Sequence, residues 1–200
     1  MNGKKGFFIC IEGIDGCGKT THARLLVENL RKLGYDAVYT TEPTDGKIGS
    51  FIREYLFEGE KRYSSIVEAL LFAADRVEHV EGEIKPALKQ GKIVVSDRYV
   101  YSSLAYQSAA GLDLEWIKAL NKWIIPPDLA LLIDVPPEEA LQRIKRKKSV
   151  METLENQKKV QKAYQKFVEQ GELVKIDGTR PVEQVAMEIL NIVLEHFGNT

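Results

Sequence analysis

The chain has 200 residues, 44% of them apolar, enough to bury one substantial core and short for two, so a single domain over residues 1–200 is expected. With 28 Lys and Arg against 29 Asp and Glu the formal net charge is −1. That balance excludes a chain-wide electrostatic footprint for a nucleic-acid polymer or an anionic membrane, and any polyanion has to be met locally. No apolar run approaches the roughly 20 residues that span a bilayer, and the first residues show no secretory signal pattern, so a cytoplasmic protein is expected.

In chain order, Phe7–Ile11 reads as a strand, followed by a glycine-rich turn and a helix over Thr20–Leu33 that stops at Gly34. Ala37–Thr41 is a second strand, and Ile48–Leu56 an amphipathic segment. The spacing predicts a long helix over Ser65–Gln90, opened by a Ser65/Glu68 capping box, closed at Gly91 and kinked or restarted by Pro86. Strands follow at Ile93–Ser96, Leu129–Ile133 and Leu173–Ile176; helices are predicted at Leu114–Ile124, Glu138–Arg146, Thr153–Gln170 and Val182–Phe197. The prolines at 126–127 and 136–137 read as loop punctuation. Unbroken rather than alternating apolar character in Ile93–Val95 and Leu129–Ile133 belongs to strands covered on both faces. The fold expected is α/β, a three-layer α/β/α sandwich around a five-stranded parallel sheet.

The turn after the first strand carries the chemistry. Gly13-Ile-Asp15-Gly16-Cys17-Gly18-Lys19-Thr20 fits G-x-x-x-x-G-K-[ST], sits between a predicted strand and a predicted helix, and is followed by Thr21. Glycines let successive backbone N–H groups turn inward around an oxyanion, the helix dipole adds positive potential, and Lys19 reaches the β- and γ-phosphates of a nucleotide. The Thr20 hydroxyl is placed to ligate Mg²⁺. Cys10 and Cys17 show no metal or disulfide spacing and read as free thiols. Cys17 sits at a helix N-terminus, where a thiolate is favoured, although a small packing residue is the plainer reading.

A GTPase would carry DxxG and NKxD segments; neither is present, and Asn121-Lys122-Trp123-Ile124 lacks the aspartate. Three further segments do fit a known pattern. Glu12-Gly-Ile-Asp15-Gly-Cys-Gly-Lys-Thr-Thr21, Leu71-Phe72-Ala-Ala-Asp75-Arg76, and Ser96-Asp97-Arg98-Tyr99-Val-Tyr-Ser102-Ser103-Leu-Ala-Tyr106-Gln107 together resemble the thymidylate kinase family over nearly the whole chain. Thr41-Glu42-Pro43 fits as well, though Thr44-Asp45 stands where many bacterial members have Gly-Gly.

The resemblance implies a P-loop NTPase fold and Mg-dependent transfer of a phosphoryl group from ATP to dTMP, with a homodimer as the assembly. It implies that Phe72 stacks on thymine and that Arg76, one turn later on the same helix face, bonds an exocyclic oxygen of the base. Ser103 and Gln107 then lie near the base, Tyr106 near C2′ of the sugar, Glu42 and Pro43 beside the acceptor, and Asp15 at the 3′-hydroxyl. Arg53 and Arg98 are the implied grips on the dTMP phosphate, and Asp97 organises the metal and its waters. After the fourth strand the resemblance implies a short lid around 143–155. Because Gly16 stands where some members carry a P-loop arginine, Arg146 is the expected source of the transition-state cation and Arg143 the cover for adenine, with Thr179 and Arg180 on a loop beside that ring. The rival readings are a deoxynucleoside kinase, whose neutral acceptor needs a carboxylate base such as Glu12, and an ATP-holding module without an acceptor.

Overall fold

The computed structural model describes residues 6–58, 63–145 and 152–198. Strands β1 (Phe7–Glu12), β2 (Ala37–Thr41), β3 (Ile93–Asp97), β4 (Leu129–Asp134) and β5 (Val174–Asp177) form one all-parallel sheet in the order β2-β3-β1-β4-β5. β3 is buried along its whole length and β4 over Leu129–Ile133, which is why Ile93–Val95 and Leu129–Ile133 read as unbroken apolar runs; β1 is buried throughout as well. Alternate side chains feed opposite layers: the Phe7 ring meets Phe197 at 5.5 Å, while its neighbour Phe8 meets Tyr99 at 4.8 Å on the other face. Helices α1 (Lys19–Lys32) and α9 (Val182–Gly198) pack together on the first side, and α5 (Val100–Ala109) and α8 (Leu154–Glu169) on the second. The expected three layers are therefore present.

The chain leaves β1 toward β2 at one edge and later crosses to β4 on the other side of β1, so the connections diverge at the C-terminal ends of β1 and β3. In an open parallel sheet that divergence opens the crevice where ligands bind.

Several boundaries differ from the sequence reading, each for a local reason. Ser64, not Ser65, caps α3 (Ser65–His79), because Ser64 is extended (φ −63°, ψ 152°) and its side chain accepts from Val67 N–H. Glu68 thus falls one position beyond a capping box and instead accepts from Tyr55. The long helix is interrupted by a π turn at Val80–Ile84 before α4 (Lys85–Lys89), where Pro86 occupies the first turn; the wide turn absorbs the hydrogen bond that proline cannot donate.

The amphipathic segment is α2 (Lys47–Glu58). α6 (Leu114–Leu120) stops before residue 124, with Asn121 capping it. α7 (Pro137–Arg143) opens on Pro137, a position suited to its missing N–H, and ends at the extended Ile144. α5 had no apolar stripe to announce it, since buried Ser103 and Gln107 interleave with its apolar residues. Among the described residues no helix is long and apolar enough to cross a membrane.

Candidate active site

Between β1 and α1 the chain needs left-handed backbone at Gly13, Gly16 and Gly18 (φ 146°, 83° and 103°), a region that side chains penalise. Two of these glycines also lack room. A Cβ on Gly13 would lie 2.6 Å from Cys17 Sγ and 2.7 Å from the Ile133 carbonyl oxygen, and one on Gly16 would lie 2.1 Å from the Ala140 carbonyl oxygen on α7. No arginine fits at position 16. Lys19, 6% exposed, donates to the carbonyls of Gly13 (2.9 Å) and Ile14 (2.7 Å), which holds its ammonium inside the loop. Cys17 is buried, and burial raises its thiol pKa against the pull of Lys19 and Arg98, in keeping with the plainer reading of a packing residue.

β3 delivers two adjacent charges to this loop. The Thr20 hydroxyl donates to Asp97 Oδ2, while Asp97 Oδ1 is buried without a partner among the described residues. A hydroxyl and a carboxylate with an unused oxygen suit a hard cation. Among the described residues no group of three or more His, Cys, Asp or Glu could hold a metal. Arg98 has φ 72°, a conformation costing of order 1–3 kcal/mol for a non-glycine residue. Its neighbours impose it: Arg98 N–H donates to Ile11 O (3.0 Å), Ser96 Oγ donates to Arg98 O (2.6 Å), and Tyr99 N–H donates to Glu12 (2.8 Å). The turn throws the guanidinium back over the P-loop. There Nη2 pairs with Asp15, Nη1 donates to Ser102 (3.1 Å), and the group lies 5.4 Å from the centre of the Tyr106 ring.

A second buried cation lies at the end of α3. Arg76, 1% exposed, donates through Nε to Glu42 (2.8 Å), through Nη2 to the Tyr99 carbonyl (3.2 Å) and Ser103 Oγ (3.0 Å), and through Nη1 to Asn121 Oδ1 (2.5 Å). Uncompensated burial of a guanidinium would be prohibitive, so these acceptors are what permit it. On α5, Gln107 is buried with Oε1 meeting no donor among the described residues, and Tyr106 buries its hydroxyl beside Asp15 and Arg98.

Residues 11–189 match the family described as Thymidylate kinase. The chain belongs to that family. A probable thymidylate kinase of Thermococcus onnurineus (strain NA1) is 50% identical, covering 94% of this chain and 97% of the relative. Probable thymidylate kinases of Pyrococcus abyssi (strain GE5 / Orsay) and Methanococcus maripaludis (strain C7 / ATCC BAA-1331) are 45% and 46% identical, each over 94% of this chain and over 96% and 95% of their own lengths.

The P-loop NTPase fold of thymidylate kinases accounts for the gathering of most residues singled out in the sequence. Gly13 to Thr21, Asp97 and Arg98 meet at the ends of β1 and β3; Arg76 on α3 reaches Ser103 on α5, Tyr106 lies against Arg98, Gln107 is buried on α5, and half-buried Phe72 lies one turn before Arg76. Arg53 on α2 donates to the Pro43 carbonyl (2.5 Å) and pairs with Asp45 (2.7 Å). Glu42 turns toward Arg76 and His79. Arg143 bridges Glu139, the Gly178 carbonyl (3.1 Å) and the Cys17 carbonyl (3.5 Å), which brings the 177–180 loop to the P-loop. Thr179 bonds Asp177, and Arg180 is taken by Glu188 on α9. Arg146 lies outside the described residues.

Three participants went unnoticed as site members in the sequence. Asn121, dismissed there as a failed guanine motif, is an acceptor for Arg76. Gln157, fully buried on α8, accepts from Asp15 N–H (3.1 Å) and donates to Asp15 Oδ2 (3.3 Å). Its place in the buried series Gln157, Val160, Tyr164 and Phe167 was the available signal, a polar residue in an apolar stripe. Glu12, considered there only as a possible base, accepts from Tyr99 N–H, Ser102 (2.6 Å) and Tyr164 (3.0 Å). Burial raises its pKa, against the pull of those hydrogen bonds and of Arg98.

Proposed function

We propose that this protein transfers the γ-phosphoryl group of ATP to dTMP, giving dTDP and ADP. The observation that carries the reading is Arg98, a cation anchored to P-loop Asp15 on one side and to α5 on the other. A group so placed faces both a nucleotide held by the P-loop and a phosphate presented along α5. Membership of the thymidylate kinase family supports the substrate.

The acceptor, a phosphate monoester, is already an anion near neutral pH, so the reaction needs no general base. The carboxylates that could act as one are otherwise engaged: Glu12 by three donors, Glu42 by Arg76 and His79. That favours a monophosphate acceptor over a nucleoside. The P-loop N–H groups and Lys19 hold the donor phosphates, Arg98 and Arg53 the acceptor phosphate, and Asp15 the sugar. Thr20 and Asp97 are the residues to hold Mg²⁺, which supplies charge neutralisation across the phosphate oxygens when bound. Arg146 remains the proposed lid cation and Arg143 the cover for adenine.

In the base pocket Phe72 offers a ring face, Arg76 a donor for an exocyclic carbonyl, and Gln107 Oε1 an acceptor for a ring N–H, a pattern that fits thymine. A homodimer is proposed through α2 and α3, where Phe51, Ile66, Val67 and Leu70 are exposed on helices that pack side by side.

The test is ADP release with Mg·ATP against dTMP, its ribose analogue, CMP and thymidine. Turnover that depends on dTMP is expected. Activity with thymidine alone would move the chain to the nucleoside kinases, and acceptor-independent hydrolysis would make it an ATP-binding module.

A further inference from the structure

The anchor of Arg76 continues one residue further than the base pocket requires. His79, at the end of α3 and 2% exposed, places Nδ1 3.0 Å from Glu42 Oε1, while Glu42 Oε2 accepts from Arg76 Nε at 2.8 Å and lies 2.7 Å from Nη2 as an ion pair. An ionised carboxylate only accepts, so Nδ1 carries the proton of this contact. On its far side Nε2 lies 2.6 Å from Thr40 Oγ1 and 3.6 Å from Glu83 Oε2, with Thr40 2.9 Å from Glu83. The imidazole is thus held between Thr40 on β2 and Glu42 just beyond it, and it fixes the rotation of the carboxylate that Arg76 rests on.

Arg76 has five N–H groups. Nε uses one, Nη2 donates to the Tyr99 carbonyl and Ser103, and Nη1 donates to Asn121. One N–H of Nη1 has no partner among the described residues, and its direction follows from the plane of the guanidinium. That plane is held by Glu42 at the Nε edge together with the Tyr99 carbonyl, Ser103 and Asn121.

We propose that His79 is a positioning residue for the nucleobase of the acceptor, acting through Glu42 to aim the remaining N–H of Arg76. The inference rests on the reading that Arg76 faces the base. It identifies His79, outside the motifs that carry the family resemblance, as a determinant of pyrimidine discrimination.

The experiment compares His79→Asn, His79→Gln and His79→Ala with the native enzyme in steady-state kinetics, with thermal unfolding alongside. Asn puts an amide N–H where Nδ1–H stood and keeps the contact with Glu42; Gln reaches instead toward Thr40 and Glu83. Loss of one charge-assisted hydrogen bond predicts that His79→Gln and His79→Ala raise KM for dTMP about tenfold. The preference for dTMP over dCMP falls by a similar factor, KM for ATP stays within about twofold, and His79→Asn returns close to the native value. Equal behaviour of Asn and Gln, or a parallel rise in KM for ATP, would overturn the proposal. If His79→Ala fails to fold, the Asn and Gln pair, similar in size to histidine, still decides the matter. Arg76→Ala separates the two layers of the argument. An unchanged KM for dTMP in that variant would remove the base-pocket reading itself, whereas a raised KM there with none in His79→Gln would remove only the role of His79.

Discussion

Replacing Arg98 by lysine tests whether the site needs a planar fork or merely a positive charge. Burial would lower the pKa of this guanidinium, but Asp15 and neighbouring groups drive it well above its ordinary value, so the native residue is a cation, and the same Asp15 carboxylate stands ready to pair a lysine ammonium. They differ in reach. Arg98 engages Asp15 through Nη2 and Ser102 through Nη1, joining the P-loop to α5, and a single ammonium cannot span both while also gripping a phosphate. Losing one charge-assisted hydrogen bond costs about 1.5–3 kcal/mol, which corresponds to a roughly 10- to 150-fold fall in kcat/KM for dTMP. Backbone strain does not confound the comparison, because lysine meets the same penalty as arginine at φ 72°. The assay is ADP release at saturating Mg·ATP with dTMP varied, alongside thermal unfolding. A lysine enzyme within about threefold of native kcat/KM would refute the argument from geometry and leave charge as the whole contribution.

Lys19→Ala is expected to lower turnover by at least about 10²–10³-fold, the usual effect of removing one preorganised donor to a reacting oxyanion, while circular dichroism shows the fold retained. A turning-over Lys19→Ala enzyme would take the residue out of phosphoryl transfer. Glu12 is expected to make stability depend on pH. Its pKa in the folded protein lies above its ordinary value of 4.5, chiefly through burial, so its contribution is fully present below that value and is lost as pH rises through the folded pKa. Glu12→Gln keeps an acceptor for Tyr99 N–H and lets the hydroxyls of Ser102 and Tyr164 reverse roles. Chemical unfolding across that range should therefore show a shallower decline for the variant than for the native chain. Identical slopes would mean that Glu12 does not govern the pH dependence.

The fold and the phosphate cradle were legible in the sequence because both are written in short range. A parallel sheet announces itself by apolar runs of a few residues, and Gly13, Gly16, Gly18 and Lys19 occupy one turn whose backbone geometry few other residues tolerate. Partners were not legible, because they come from far along the chain. Asn121 reaches Arg76 across 45 residues, Gln157 reaches Asp15 across 142, and Tyr164 reaches Glu12 across 152. With 28 basic and 29 acidic residues in 200, residue type alone does not tell buried charged residues such as Arg76 and Glu12 from solvated surface ones. Burial does distinguish them: Glu12, Lys19, Glu42, Arg76, His79 and Asp97 are all under 7% exposed. Each buried charge needs a fixed partner, and each partner restricts its orientation, so the need to compensate desolvation itself builds the rigidity that an in-line transfer between two anions requires. The residues that make Arg76 tolerable in the interior are, on this view, the same ones that aim it.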